Sequence, residues 1–192
     1  MSKAPISQRH RILTAAATLF QQQGYPATSV RMIAASVELG ASSLYNHIEG
    51  KQELLKEICF SSAERFELGL NQLKEEATST PDLLKGLIRL HVKLAVEYPE
   101  TVTVFNDEWR HLDQEAIQPF LRKRKDYQTE ISRIFKEGQR KGDISPIDLE
   151  IAVLSLLGSL SWIYQRKGLF TAQVEDITQQ LYTLWANGWQ LK

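Results

Sequence analysis

The 192-residue chain has one cysteine, no net charge, no long apolar run and no strand pattern, and each of these lacks narrows what it can be. Cys59 alone forms neither an internal disulfide nor a cysteine-only zinc site, which excludes a cystine-stapled secreted scaffold and a zinc finger and favours the cytoplasm. The strongly apolar stretch free of charged side chains from Ile151 to Gln165 is short of the roughly 18 residues that a membrane-spanning helix needs. No membrane partner is expected. The opening MSKAPISQRHR lacks the apolar core of an export signal, so export is not expected either. Alternating apolar and polar positions and internal repeats are missing throughout.

Catalytic signatures are equally scarce. The chain contains no glycine-rich phosphate loop, no nucleophile elbow and no cysteine-histidine pairing. A di-iron bundle needs two Glu-x-x-His elements, and Glu108 to His111 is the only one, because His10, His47 and His91 have no Glu three positions earlier. Asp107 and His111, one turn apart, read as a surface pair rather than as metal ligands. Neither an enzyme nor a bound cofactor or metal is expected.

The zero net charge hides a division. Residues 1–51 carry Lys3, Arg9, Arg11, Arg31 and Lys51 against Glu38 and Glu49 only, a net +3, which leaves −3 on the remainder. A basic end on a neutral-to-acidic body suits a phosphate-binding head.

Helical periodicity fills the chain. Ile12, Leu13, Ala16, Leu19 and Phe20 lie on one stripe of a helix over about 7–23, with Gly24 placed to cap it. Thr28 is the expected N-cap of a short helix burying Val30, Ile33, Ala34 and Val37, and a third short stretch covers Ala41 to His47. Two short helices in tight succession beside a longer one outline a helix-turn-helix unit. A longer helix over about 52–74 leaves it, and Thr80-Pro81-Asp82 reads as the cap and first turn of the next, ending near Tyr98. Further helices are expected around 102–111, from about Ile117 to Lys141-Gly142, from Ser145-Pro146 to about Arg166, and from Thr171 to about Trp189. The expected fold is all-α, with about nine helices.

The segment from Ile147 to Arg166 is apolar almost all round, more than one small core can cover. Ser155, Gly158, Ser159 and Ser161 would let another helix approach closely, and the last helix adds Leu181, Leu184, Trp185 and Trp189. A homodimer joined through the last two helices of each subunit is therefore expected, with a central helix in a monomer as the alternative.

Over Thr28 to Leu55, the sequence TSVRMIAASVELGASSLYNHIEGKQELL resembles the DNA-binding head of the TetR family of bacterial repressors. Ile33-Ala34, Leu44-Tyr45, His47, Lys51 and Leu54-Leu55 carry the match, and Ala15, Phe20, Gly24-Tyr25 and Thr28 extend it into the first helix. The resemblance implies a DNA-binding domain over 7–67 and an effector-binding and dimerisation domain over 68–192. It implies a transcriptional regulator, a repressor, that binds a palindromic double-stranded operator as a homodimer and is released by a small effector. Thr28, Tyr45, His47 and Lys51 match positions that grip the DNA backbone in the family. Ala41, Ser42, Ser43 and Asn46 would then face base edges, and Arg31 would add a base or phosphate contact. The chain departs from the family pattern at Glu38, where the turn usually has Gly, at Gly40, where it usually has a Ser cap, and at Ile48, which replaces Phe. If the turn demands a positive φ, Glu38 costs on the order of 1 kcal/mol there. An α-helical ligand-binding or adaptor protein with a vestigial head that reads no DNA is the alternative.

The body also resembles the regulators of that family that respond to acyl-CoA thioesters, through FNDEWRHL at 105–112, Arg122 to Lys125 with Tyr127, Gly138 and Gly142 before Asp143, and Trp162. That resemblance implies an apolar tunnel from Phe105, Trp109, Phe120, Tyr127 and Trp162, with Arg124 among the cations at its mouth. Solvated charge and ordinary core packing remain open for these residues, as does an unrelated hydrophobic effector.

Overall fold

A computed structural model describes residues 7–165 and 173–187. Among them the chain forms nine α-helices and no strand: α1 (Gln8–Gln23), α2 (Val30–Ser36), α3 (Ala41–Leu44), α4 (Lys51–Glu76), α5 (Thr80–Glu97), α6 (Pro99–Asp107), α7 (Gln114–Lys141), α8 (Leu149–Leu160) and α9 (Val174–Asn187). Short 3-10 turns follow α6 at Trp109–His111 and α8 at Ile163–Gln165. Thr171, Arg166 and Trp189, expected at the ends of the last two helices, lie outside the described residues.

Cα packing divides the chain into two compact units, 1–63 with 100–121, and 64–99 with 122–192. In the first unit α1 starts at Ser7, whose side chain accepts from the His10 amide, and stops at Gly24, whose φ is +83°. Its inward stripe of Ile12, Ala16, Ala17 and Phe20 joins Ile33, Ala34, Leu44, Leu54, Leu55 and Ile58 in one core, completed by Val104, Leu112, Ala116 and Phe120. Each large side chain buried in this way stabilises the unit by about 1.5–3 kcal/mol.

In the second unit α5 packs on α8 and α9. Gly138 on α7 makes room for the start of α5 and for Ile144: a Cβ there would lie 2.5 Å from Ile144 Cδ1 and 2.7 Å from Thr80 Cγ2. Gly142, at φ +81°, ends α7, with its own amide donating to the Gln139 carbonyl and the Asp143 amide donating to the Gly138 carbonyl.

Three expected caps move by one or a few residues. Ser29, not Thr28, caps α2 by accepting from the Met32 amide, because the Thr28 hydroxyl is buried and donates to the Gly24 carbonyl. Ser79 rather than Thr80 caps α5, accepting from the Asp82 amide and leaving Pro81 in the first turn, where no intrahelical donor is needed. Asp148, accepting from the Ile151 amide, opens α8 in place of Ser145-Pro146. That connection is held instead by Gln139, whose Nε2 donates to the Ile147 carbonyl at 2.7 Å.

The all-round apolar character of α8 resolves into two faces. Ala152, Val153, Leu156 and Leu160 are buried, whereas Ile151 and Leu154 are 59% and 52% exposed, and Ile147, just before the helix, is 42% exposed. Ser155, Gly158 and Ser161 are exposed as well, but Ser159 is occupied within the chain, its hydroxyl accepting from Trp185 Nε1 at 3.0 Å.

Candidate nucleic-acid interface

The helix-turn-helix rests on apolar anchors that point inward: Ile33 and Ala34 from α2, Val37 from the turn, Leu44 from α3, and Ile48 beyond it. Between them the chain turns at Glu38, the only non-glycine residue of positive φ among those described, at φ +58°. The Leu39 amide donates to the Ala34 carbonyl at 2.9 Å and the Glu38 amide to the Ala35 carbonyl at 3.2 Å, the paired closure of a Schellman motif. This is the closure that Gly142 makes at the end of α7, here with a side chain in the left-handed region. The turn therefore has the shape that favours glycine, and Glu38 occupies it under strain.

Gly40 caps α3 with extended geometry, φ −70° and ψ 150°, and without a side-chain hydrogen bond. After the four helical residues the backbone continues through a tight turn, the Asn46 and His47 amides donating to the Ser43 and Leu44 carbonyls. With Leu44 and Ile48 buried, the residues around them face outward: Ser42, Ser43, Asn46 and His47 are exposed, Tyr45 is 56% exposed and Ala41 is half-buried. Arg31 is exposed on α2. Eight of the nine expected DNA contacts thus present at least part of their side chains to solvent; the Thr28 side chain, 1% exposed, does not.

Lys51 has an internal role that its charge alone did not announce. Its ammonium donates to the Tyr25 and Thr28 carbonyls, each at 3.0 Å, and stands 4.2 Å from the Tyr25 ring centre. It ties the start of α4 to the connection between α1 and α2. Tyr25 in turn stacks on His111 at 5.4 Å, and its amide donates to Glu108 Oε2 at 3.0 Å. The lone Glu-x-x-His element is thus absorbed as a structural contact, with Gln52 Nε2 donating to the His111 carbonyl at 2.7 Å. Burial and then the Asp113 carboxylate hold the Tyr25 phenol above its ordinary pKa.

The candidate effector residues fall in separate groups. Phe105, Trp109 and Phe120 lie in the first unit, where the Phe120 ring centre is 5.6 Å from Phe105, 6.2 Å from Trp109 and 5.7 Å from Phe60. Tyr127, in the second unit, has its hydroxyl 2.9 Å from His91 Nε2, and both rings meet Phe66. Burial pushes the His91 imidazole down to about 4 and the Tyr127 phenol well above its usual range, so this pair is neutral near pH 7. Arg124 is half-buried and Trp162 is 39% exposed. His91 carried no sequence signal; a lone histidine in an amphipathic helix reads as any other polar position. Arg9 and Glu53 were also missed, because their partners lie 38 and more residues apart from Arg9 in the chain.

Residues 12–58 match the family described as bacterial regulatory proteins of the tetR family, and residues 77–184 match the tetracyclin repressor-like C-terminal domain. The HTH-type transcriptional repressor KstR2 of Mycolicibacterium smegmatis is 27% identical over 190 residues, covering 96% of this chain and 91% of that protein. Among solved structures, the ketosteroid transcriptional regulator KstR2 of Mycobacterium tuberculosis superposes with a TM-score of 0.90 at 19% identity, covering 96% of both chains. AibR, solved with isovaleryl coenzyme A and operator DNA, superposes with a TM-score of 0.83 at 25% identity, covering 93% of this chain and 97% of that one. With both family matches lying on the helix-turn-helix and on the helical body that follows it, the chain belongs to the TetR family of bacterial transcriptional regulators.

Proposed function

We propose that the chain is a cytoplasmic, homodimeric repressor that binds a palindromic DNA operator and is released by a small apolar or acyl-CoA-like effector. The observation that carries the reading is the α3 segment, where Ser42, Ser43, Tyr45, Asn46 and His47 face outward on a short element pinned from behind by Leu44 and Ile48. Small neutral side chains give few strong base contacts, so discrimination falls to Asn46, to hydroxyls, to thymine methyl contacts and to DNA shape. Tyr45, His47, Arg31 and the amides at the start of α2 supply backbone contacts, with Thr28 acting through its place in that turn. The 7–67 segment forms the DNA-binding domain and 68–192 the effector-binding and dimerisation domain.

Two heads on one duplex need half-sites about one helical turn apart, hence the palindrome. The exposed Ile151 and Leu154 of α8, with Ile147 exposed before it and Gly158 open beyond, support pairing through α8 and α9. Similarity to AibR, which was solved with isovaleryl coenzyme A, and the neutral His91–Tyr127 pair beside Phe66 support an acyl-CoA-like effector.

Enrichment of a random-sequence duplex library by the purified protein, followed by fluorescence anisotropy over a salt series, tests this. A two-fold-symmetric consensus, with affinity falling by about 0.9 in log–log slope for each phosphate contact, is expected. Isovaleryl-CoA and longer acyl-CoA thioesters are then expected to release the DNA. No enrichment would raise the adaptor alternative, and release by none of the thioesters would remove the acyl-CoA part of the reading.

A further inference from the structure

Arg9 lies on the first turn of α1, yet its side chain reaches across to the end of the α3 segment. Nη1 donates to the His47 carbonyl at 2.7 Å, and Nη2 donates to Glu53 Oε1 at 2.6 Å and to the Glu57 carboxylate. The second oxygen of Glu53 accepts from the Glu49 amide at 2.6 Å. The linker between α3 and α4 is therefore held at two backbone groups, one carbonyl and one amide, by a single charged cluster rooted in α1 and α4.

That grip matters because little else fixes the segment. α3 has four helical residues, too few to be stable by itself, and from Tyr45 to Gly50 only Ile48 is buried in the core. Two apolar anchors, Leu44 and Ile48, hold the segment down from behind, and the polar ties at the His47 carbonyl and the Glu49 amide restrain its backbone further. Hydrogen bonds from a guanidinium to a carbonyl and to carboxylates are charge-assisted and directional, which suits such a tie. The cluster also holds one guanidinium against two carboxylates and so carries one net negative charge, which repels a DNA phosphate. Consistent with a formed network, the Glu53 carboxyl is held below its ordinary range by the Glu49 amide and by Arg9, and the Arg9 guanidinium above its own by Glu53.

We propose that Arg9 is a positioning residue for sequence readout: by joining the His47 carbonyl to Glu53 and Glu57 it sets the angle from which Ser42, Ser43 and Asn46 meet base edges, without itself touching DNA. This rests on the DNA-binding reading above.

The test compares wild type, Arg9→Met, Glu57→Gln and the double variant by fluorescence anisotropy. The probes are a 30-base-pair duplex enriched by the wild-type chain from a random library and a scrambled duplex of the same composition, each over a salt series, with far-UV circular dichroism confirming the fold. Arg9→Met is expected to lower the enriched-to-scrambled affinity ratio about tenfold, the size of one good base contact, with the salt slope unchanged. Glu57→Gln lowers the enriched-to-scrambled ratio in the same direction, and the double variant is no worse than Arg9→Met, because both changes open one network. Equal losses on both duplexes with a slope smaller by about 0.9 would show a phosphate contact and overturn the proposal. So would additive losses, or a Glu57→Gln variant with an unchanged ratio, which also decides the matter should Arg9→Met fail to fold. If the wild-type chain enriches no duplex, the DNA-binding reading falls and takes this proposal with it; enrichment with an unaltered ratio in the variants sinks the proposal alone.

Discussion

Two residues in the same backbone closure bear different loads. Glu38 at φ +58° and Gly142 at φ +81° each follow a helix and each form the paired amide-to-carbonyl bonds of a Schellman ending. Only glycine enters that region without a Cβ clash. Glu38→Gly is therefore expected to stabilise the protein by about 1 kcal/mol and Gly142→Ala to destabilise it by a similar amount. Urea-denaturation midpoints of the two variants check this, and changes of the same sign would contradict it. At Gly142 an added Cβ meets nothing within 4 Å, so any loss there is conformational rather than steric. His91 carries a second residue-scale consequence. The unfolded imidazole takes up a proton near pH 6.5 and the folded one only near 4, so acid binds the unfolded chain first. Stability is expected to fall as pH drops from 6.5 toward 4, by up to roughly 3 kcal/mol from this residue. His91→Gln should flatten the pH dependence of the unfolding free energy relative to wild type; parallel curves would assign the loss to other groups.

At the scale of elements, close approach is decided by where side chains are missing. Gly138 lets α7 meet Thr80 at the start of α5 while Ile144 folds back over it. Gly138→Ala is expected to cost about 1–3 kcal/mol through overpacking, and adding Ile144→Val should restore part of it by removing the Cδ1 atom in the way. Thermal unfolding of the single and double variants reads both effects. Periodicity made the long amphipathic elements such as α1, α4 and α7 legible, whereas the four-residue α3 has no repeat of its own and α8 is apolar almost all round. Cap identity was less so. Thr28 and Ser29, or Ser79 and Thr80, are equivalent by local chemistry, and burial of the threonine in each pair leaves the exposed serine as the cap.

For the whole molecule the decisive surface is the outward stripe of α8. Leu154→Glu sets a charge on a face that the proposed dimer covers but that the folded chain leaves 52% exposed. Light scattering after size exclusion is expected to show a shift from dimer to monomer, and operator affinity should fall because the two heads no longer bind as one unit. A variant that stays dimeric with unaltered affinity would place the interface elsewhere. The α8 composition announced an excess of apolar surface, but not which stripe was spare; that became visible only once the fold had buried Ala152, Val153, Leu156 and Leu160.

The sequence by itself determined the all-α class, the helix-turn-helix and its family, and the outward row of Ser42, Ser43, Tyr45 and Asn46. The class and the helix-turn-helix outline depend on residue type at spacings of a few positions, which helical geometry converts into faces, whereas the family and the outward row follow from the resemblance carried by Thr28 to Leu55. The strain foreseen at Glu38 became definite when the turn closed with a positive φ. Tertiary structure alone decided where the charges went. Lys51 turned inward onto two carbonyls, Arg9 crossed to His47, Glu108 met Tyr25, and His91 found Tyr127. Long polar side chains can adopt many orientations, and the partner that selects one lies tens of residues away, so no local pattern records the choice.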